Sequence, residues 1–354
     1  MSISDYSEKS YFAAANSRYG FVSFFDKIFT PEELDFLYII KGGSGTGKSS
    51  MMKAIADKAK RLGEEVEYFY CSSDPKSLDG IILKERRVGI IDGTAPHVYE
   101  PRLPGCFDEI INLGAFWDSK KLIESKEKIV DICNRKSRLY TQAYSYLSVA
   151  GKLEGVCDSI MQPSIKKDKL SKWAQRFLMR CTPGGTYTQK VRLTDAISSL
   201  GRTHIDSYYK AAAEHFIIAD SLNISSFVFG ALSNAAKEQR ISMTASYDPL
   251  DTTKINGIYF TDSSVSVTLK DSKAGTAYDR VINTERFFDR ESYRNVRQRV
   301  RFMNKCKVSM YESAVEVMKT TSALHSELEE IYCKAMNFDA KEEYTKALVK
   351  RIFG

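Results

Sequence analysis

With 354 residues, 43% hydrophobic and 27% charged, the chain suits about two packed domains and is too apolar for a disordered polymer. Its formal net charge of +7 is a mild basic excess that favours phosphate-bearing partners; nucleic acid is a weakly supported one. No apolar run approaches the roughly 20 residues needed to cross a bilayer, residues 1–10 are polar without a signal-peptide core, and seven scattered cysteines form no C-x-x-C pair, so reduced thiols in a cytoplasm are expected.

In chain order, Phe36, Leu37, Tyr38, Ile39 and Ile40 read as a short buried strand. A glycine-rich loop follows. Residues 48–62 then predict a helix, with Met51, Met52, Ile55, Ala59 and Leu62 on one stripe and Gly63 as its stop. Residues 65–71 and 88–91 read as further strands. Strand, helix and strand in this order predict right-handed βαβ units and a mostly parallel sheet. Residues 119–150 hold neither Pro nor Gly, and Leu122, Ile129, Ile132, Leu139, Tyr146 and Leu147 recur at helical spacing. Residues 290–353 share that character. Each stretch predicts a helical hairpin, or a long helix with a shorter partner, that covers the sheet or projects as a lid. Pro163 and the run Lys166, Lys167, Asp168, Lys169 read as a linker, which places two domains at 1–165 and 166–354.

The two halves are related. Asn112, Phe116, Trp117 and Asp118 parallel Asn283, Phe287, Phe288 and Asp289. Ser72, Ser73, Asp74 and Pro75 are matched with Ser246, Tyr247, Asp248 and Pro249, and Asp79-Gly80 with Asn256-Gly257. An ordered offset of this size predicts a duplicated domain.

Gly42-Gly43-Ser44-Gly45-Thr46-Gly47-Lys48-Ser49 fits the phosphate-loop pattern G-x-x-x-x-G-K-[ST] between a strand and an amphipathic helix, the context that pattern requires. Glycines let backbone amides approach phosphate oxygens, and the helix start adds positive potential. Lys48 is placed to reach the β- and γ-phosphates, Ser49 to hold Mg²⁺, and Ser50 to touch the α-phosphate. Val88, Gly89, Ile90 and Ile91 end on Asp92, which fits a Walker B carboxylate that holds Mg²⁺. Asp74, His97 and Glu100 are further candidates for metal contact, γ-phosphate sensing and water activation. Each has a plainer reading, as turn starter, structural hydrogen-bonder or surface acid. Gly93 stands where rapid ATPases place an acid, which predicts slow or regulated turnover.

The second half keeps Ser225-Ser226 but loses the glycines. Ile224 is read at the place of Lys48 in a loop about two residues shorter, and Leu269 at the place of Asp92. A degenerate copy without a nucleotide site is expected. Arg286, Arg290, Arg294, Arg297, Arg299 and Arg301 read as a solvated helical face, with an arginine finger for the first half as the sharper alternative.

The loop at 42–49, the segments Cys71–Gly80 and Asp92-Gly93-Thr94-Ala95-Pro96-His97, and residues 112–118 resemble an uncharacterised bacterial family of tandem P-loop ATPase-like proteins. The resemblance implies a P-loop fold and ATP binding, and extends more weakly through the second half. Such proteins often keep both loops intact, and this chain departs from that. The expected function is an ATP-binding protein, a Mg²⁺-dependent ATPase or ATP-dependent switch with one site in the first half and a protein or small-molecule partner. A small-molecule or nucleotide kinase is the alternative, thinly supported by Arg135 and Arg138 as lid arginines. A non-catalytic nucleotide-dependent interaction protein is the third.

Overall fold

The structure is a computed structural model that describes residues 9–220, 222–269 and 280–354. Most of the polar opening therefore lies outside the described residues. The first half runs β1 (Ser10–Phe12), β2 (Ala14–Ser17), β3 (Gly20–Ser23), α1 (Phe25–Ile28), β4 (Phe36–Lys41), α2 (Lys48–Arg61), β5 (Val66–Tyr70), β6 (Leu78–Leu83), β7 (Val88–Asp92), β8 (Asp108–Asn112), α3 (Ser119–Glu124) and α4 (Lys126–Met161). The second runs α5 (Lys167–Phe177), β9 (Gln189–Val191), β10 (Asp195–Ser198), β11 (Gly201–His204), α6 (Ser207–Ala211), β12 (Glu214–Ala219), α7 (Ser225–Glu238), β13 (Met243–Tyr247), β14 (Ile255–Phe260), β15 (Val265–Leu269), β16 (Arg280–Asn283), α8 (Arg290–Ala335) and α9 (Phe338–Phe353).

The chain is α/β with two six-stranded sheets of the same plan. The first has the order β1-β5-β6-β7-β4-β8, and the second, read from its other edge, β9-β13-β14-β15-β12-β16. Mostly parallel sheets were the expectation, and each sheet has five parallel strands and one antiparallel one, which makes both mixed. β6 runs antiparallel to β5 and β7, and β14 to β13 and β15. The reason is link length. Residues 84–87 join β6 to β7, with Arg87 at φ 53°. So short a link makes a hairpin, because a parallel return needs a crossover of a dozen or more residues. The strands around the glycine loop do pair in parallel, β4 with β7 and with β8.

The repeated motif at the sheet ends is helix punctuation. Asn112 and Asn283 accept from the amides of Gly114 and Glu285, and Asp118 and Asp289 from those of Lys120 and Ser292. Beyond it, each stretch forms a long helix and a shorter one, as one expected alternative had it, and in place of the hairpin alternative the long helices pair between halves. Ile132 packs with Leu324 and Leu328, Leu147 with Ala314 and Met318, and Lys128 pairs with Glu327. Rising numbers on α4 meet falling numbers on α8, so the helices are antiparallel. They are about 54 and 69 Å long at ~1.5 Å per residue. α4 runs through Gly151, whose bare Cα admits the side chain of Arg18, bonded to the Gly151 carbonyl at 2.8 Å.

Each long helix thus ends on the other half's sheet. The lysine run read as a linker opens α5, which buries Leu170, Ala174 and Phe177 in the second core. α9, placed by the sequence in the second half, buries Leu348 in the first core. The bridges Trp117–Met336 and Ile165–Phe288 are related by one shift of 171 positions, and Phe12 pairs with Leu193 between the halves. No helix among the described residues is long and apolar enough to cross a membrane.

Arg192 crosses the same interface. It is 3% exposed and bonds Glu67 at 3.0 Å and Glu33 at 2.8 Å. Removing one partner of a buried ion pair leaves the other uncompensated. Arg192→Ala is expected to cost roughly 3–5 kcal/mol in urea unfolding, and a loss under about 1 kcal/mol would show that the pair does not hold the halves together.

Candidate functional site

β4 lies between β7 and the edge strand β8, and its chain turns through residues 42–47 into α2. Gly45 and Gly47 adopt φ +72° and +86°, where a side chain is strained. The Thr46 hydroxyl donates to the Gly43 carbonyl at 2.8 Å and staples the turn. Lys48 lies across its own loop, its Nζ donating to Gly42 O at 2.9 Å and Gly43 O at 2.8 Å. Ser49 Oγ accepts from the Leu78 amide at 3.1 Å and keeps its own proton for a further contact. Ser50 Oγ donates to Gly47 O. Ser44 is half-buried on the loop.

Asp92 is brought alongside because Ile40 pairs with it in the β4–β7 register. Its carboxylate stands 3.5 Å from Lys48 Nζ and accepts from the Thr94 amide at 2.8 Å. Burial pushes the carboxyl up from its ordinary range, and the Lys48 ammonium pulls against that. Gly93 is required for packing, since a Cβ there would come within 2.4 Å of Ile39 Cγ2. An acid after Asp92 has no room.

The softer candidates separate. Glu100 is held by Lys41 at 2.6 Å on the surface. Asp74 is exposed and caps its own turn at Lys76. His97 is 5% exposed, stacked on Phe25 and edge-on to Phe21, with Nε2 3.0 Å from Asp79 Oδ2. Burial opposes its positive charge, but the Asp79 carboxylate outweighs this and raises its pKa.

Sequence reasoning missed the residues that come from the far end of the chain. A Cβ on Gly43 would strike the Tyr332 ring at 2.7 Å, and one on Gly45 the Glu329 carbonyl at 2.8 Å. The Cys333 thiol donates to Gly45 O at 3.2 Å. Lys341 of α9 is 5% exposed and donates to Ser50 Oγ at 3.1 Å. The last turns of α8 and the first of α9 therefore clasp the loop. The glycine spacing was the only available signal, and it has a second cause here, close approach by a neighbouring helix. The arginine-finger alternative fails on distance. Those six arginines are exposed around the other end of α8, and Arg301 lies about 40 Å from Glu329 along the axis.

The second half shows how the loop closed. Its helix begins at Ser225 as α2 begins at Lys48, and residues 220–224 replace 42–47. The loop is shorter by one residue rather than two, and Ser225, not Ile224, stands at the place of Lys48. Asp220 accepts from the amides of Ile224 at 2.7 Å and Ser225 at 2.8 Å. The anion site at this helix start is filled by the chain's own carboxylate. The proposed Ser-Ser-Asp-Pro match is also out of step. The bonds Cys71 N to Ser77 O and Ser77 N to Asp74 O recur as Asp248 N to Lys254 O and Lys254 N to Asp251 O. Asp248 therefore corresponds to Cys71.

His325 sits one turn before the clasp, with Lys136 donating to its Nδ1 at 2.8 Å. Burial and the Lys136 ammonium push it down to about 4. The unfolded chain takes up this proton from about 6.5 downward and the folded chain only near 4, so stability drains away as pH falls through that window. Wild type is expected to lose more unfolding free energy between pH 6.5 and pH 4 than His325→Gln; identical slopes in chemical denaturation would refute this. No family model, curated protein or solved structure matches this chain, so the reading of the site rests on its own geometry.

Proposed function

We propose that the chain binds one Mg·ATP at residues 42–50 and works as an ATP-dependent switch with slow turnover. The observation that carries this is Lys48 folded back on Gly42 and Gly43 within 3.5 Å of Asp92, on a loop whose Gly45 and Gly47 are left-handed. These residues fit a polyphosphate with its cation. The turn offers backbone amides, and the lysine is held only by carbonyls and one carboxylate that a phosphate and Mg²⁺ can replace. When bound, Mg·ATP supplies the phosphoanhydride. Lys48 would neutralise β- and γ-oxygens, and Ser49 and Asp92 would hold the Mg²⁺. Lys341 is the cation placed at the loop by the other half of the chain. Gly93 leaves no acid behind Asp92, which supports slow turnover.

The switch reading is favoured by the clasp. A phosphate-driven shift of Gly43 or Gly45 moves Tyr332 and Cys333, and α8 carries that shift to the second half. The kinase alternative gains nothing, because Arg135 bonds Asp131 and Arg138 bonds Asn134 O on their own helix. The bacterial tandem P-loop resemblance agrees with this proposal.

Isothermal titration is expected to give about one ATP per chain, with Lys48→Ala weakening binding by about 100-fold or more, or ~3 kcal/mol. Lys341→Met should weaken it about 10-fold. Ser226→Ala should leave it unchanged. Two equivalent sites, or full affinity in Lys48→Ala, would defeat the reading. Phosphate release is expected well below the ~10 s⁻¹ typical of enzymes.

A further inference from the structure

Two sequence segments outside the phosphate loop meet in the fold. The turn after β5 delivers Cys71, the start of β6 delivers Asp79, and the loop after β7 delivers His97. One donor atom from each lies within 4.8 Å of the others. Asp79 and His97 are 3% and 5% exposed. Asp79 Oδ2 stands 3.0 Å from His97 Nε2 yet meets no aligned hydrogen-bond donor, and His97 Nδ1 and the neighbouring Ser72 Oγ also lack a partner. Buried polar groups are ordinarily satisfied. Asp79 Oδ2 and His97 Nδ1 are therefore buried polar atoms without a hydrogen-bond partner in a cluster that also holds Cys71, and a metal ion is a partner that would take up such lone pairs.

The equivalent place in the second half holds an arginine, although Asn256 Oδ1 lacks a partner there as well. Asp248 stands there for Cys71, and Asn256, the second residue of β14, for Asp79, the second residue of β6. Arg202 lies among those acceptors, donating to Asp248 at 2.9 Å and Asp195 at 2.9 Å, while Asn256 donates to Asp195 at 2.9 Å. Arg202 is the second residue of β11, where β3 has Phe21. One half carries a resident cation. The other carries sulfur, oxygen and nitrogen donors beside a phenyl ring.

We propose that Cys71, Asp79 and His97 bind a divalent transition-metal ion, for which Zn²⁺ is the best match, with a fourth position left open. A mixed S, O, N set suits zinc, whereas Mg²⁺ and Ca²⁺ prefer oxygen alone. Bonds of about 2.0–2.3 Å are what zinc requires of such ligands. Binding releases to solvent the Cys71 thiol proton, and the proton of any charged His97, as the sulfur–metal and nitrogen–metal bonds form. The ion ties β6 to the loop that begins at Asp92. This site is independent of the nucleotide reading.

The test uses untagged full-length protein, stripped with chelator, equilibrated with zinc chloride without nucleotide, and desalted. Elemental analysis is expected to find about one Zn²⁺ per chain, with affinity lowered about tenfold or more in Cys71→Ser and His97→Ala. Co²⁺ in place of zinc should give a thiolate-to-metal charge-transfer band that Cys71→Ser removes and Cys133→Ser keeps. Circular dichroism establishes that each variant is folded, and if His97→Ala is not, the cobalt band in wild type and Cys71→Ser decides. Wild type that retains no zinc, or a cobalt band that survives Cys71→Ser, overturns the proposal. ATP titration of the stripped protein separates its failure from failure of the phosphate loop.

Discussion

The antiparallel seam between α4 and α8 is the contact on which the rest of the molecule depends. Each helix leaves its own sheet and ends on the other, so the final helix of either half completes the neighbouring core. Ala143, Ala150 and Ala314 are buried along the seam, where small side chains let the two helices approach. Without that crossing, α9 would have no route to the first core, and Tyr332, Cys333 and Lys341 would not reach residues 42–50. Packing and site are therefore one construction. The helix that forms the seam, about 69 Å long, is the same one whose last turns touch the glycine loop.

Duplication explains the arrangement. Two bridges related by one shift, and Phe12 paired with Leu193 between the halves, describe a pseudo-twofold relation within a single chain. It resembles an isologous dimer with exchanged helices. Once both copies lie on one chain they are free to diverge. The scaffold has been retained in both, down to equivalent strand orders. The polar centres have not. In the second half Asp220 occupies its own helix start, and Arg202 occupies the acid cluster. Both replacements follow one rule: a position that would accept an outside ion is filled by a side chain of opposite or matching charge from within. In the first half Gly42–Gly47 stand where Asp220 and its loop stand in the second, and Phe21 stands where the second half has Arg202.

Much of this was legible in the residues. The apolar run at 36–40, the glycine loop and the Met51, Met52, Ile55 stripe define a strand, a turn and a helix by local rules, and the structure has them there. Asp92 was legible because a parallel neighbour strand must end beside the loop. Other features were hidden for physical reasons. β6 looked like no particular partner until its four-residue link to β7 forced antiparallel pairing. The helical hairpins failed because periodicity shows that a helix has an apolar face, not which helix covers it. The lysines at 166–169 looked like a linker because a polar helix start and a polar loop have the same composition. The cluster of Cys71, Asp79 and His97 escaped the spacing rules for metal sites, which detect ligands on one turn or helix and are blind to residues brought together from separate segments.

Asp92 shows how the pieces act together. Its carboxylate is largely buried, and burial favours its neutral form; Lys48 is the cation that opposes this. On the proposed reading, Lys48 turns toward phosphate oxygens and weakens its hold on Asp92. A buried carboxylate that loses its cation either takes a proton or takes another cation. Asp92 and Ser49 would then hold the Mg²⁺ that accompanies the nucleotide. Phosphate without metal would leave two anions facing one lysine, and metal without phosphate would crowd two cations around one carboxylate. On that reading the electrostatics would favour the joint arrival of both, beside a loop that Tyr332 and Cys333 of α8 touch directly.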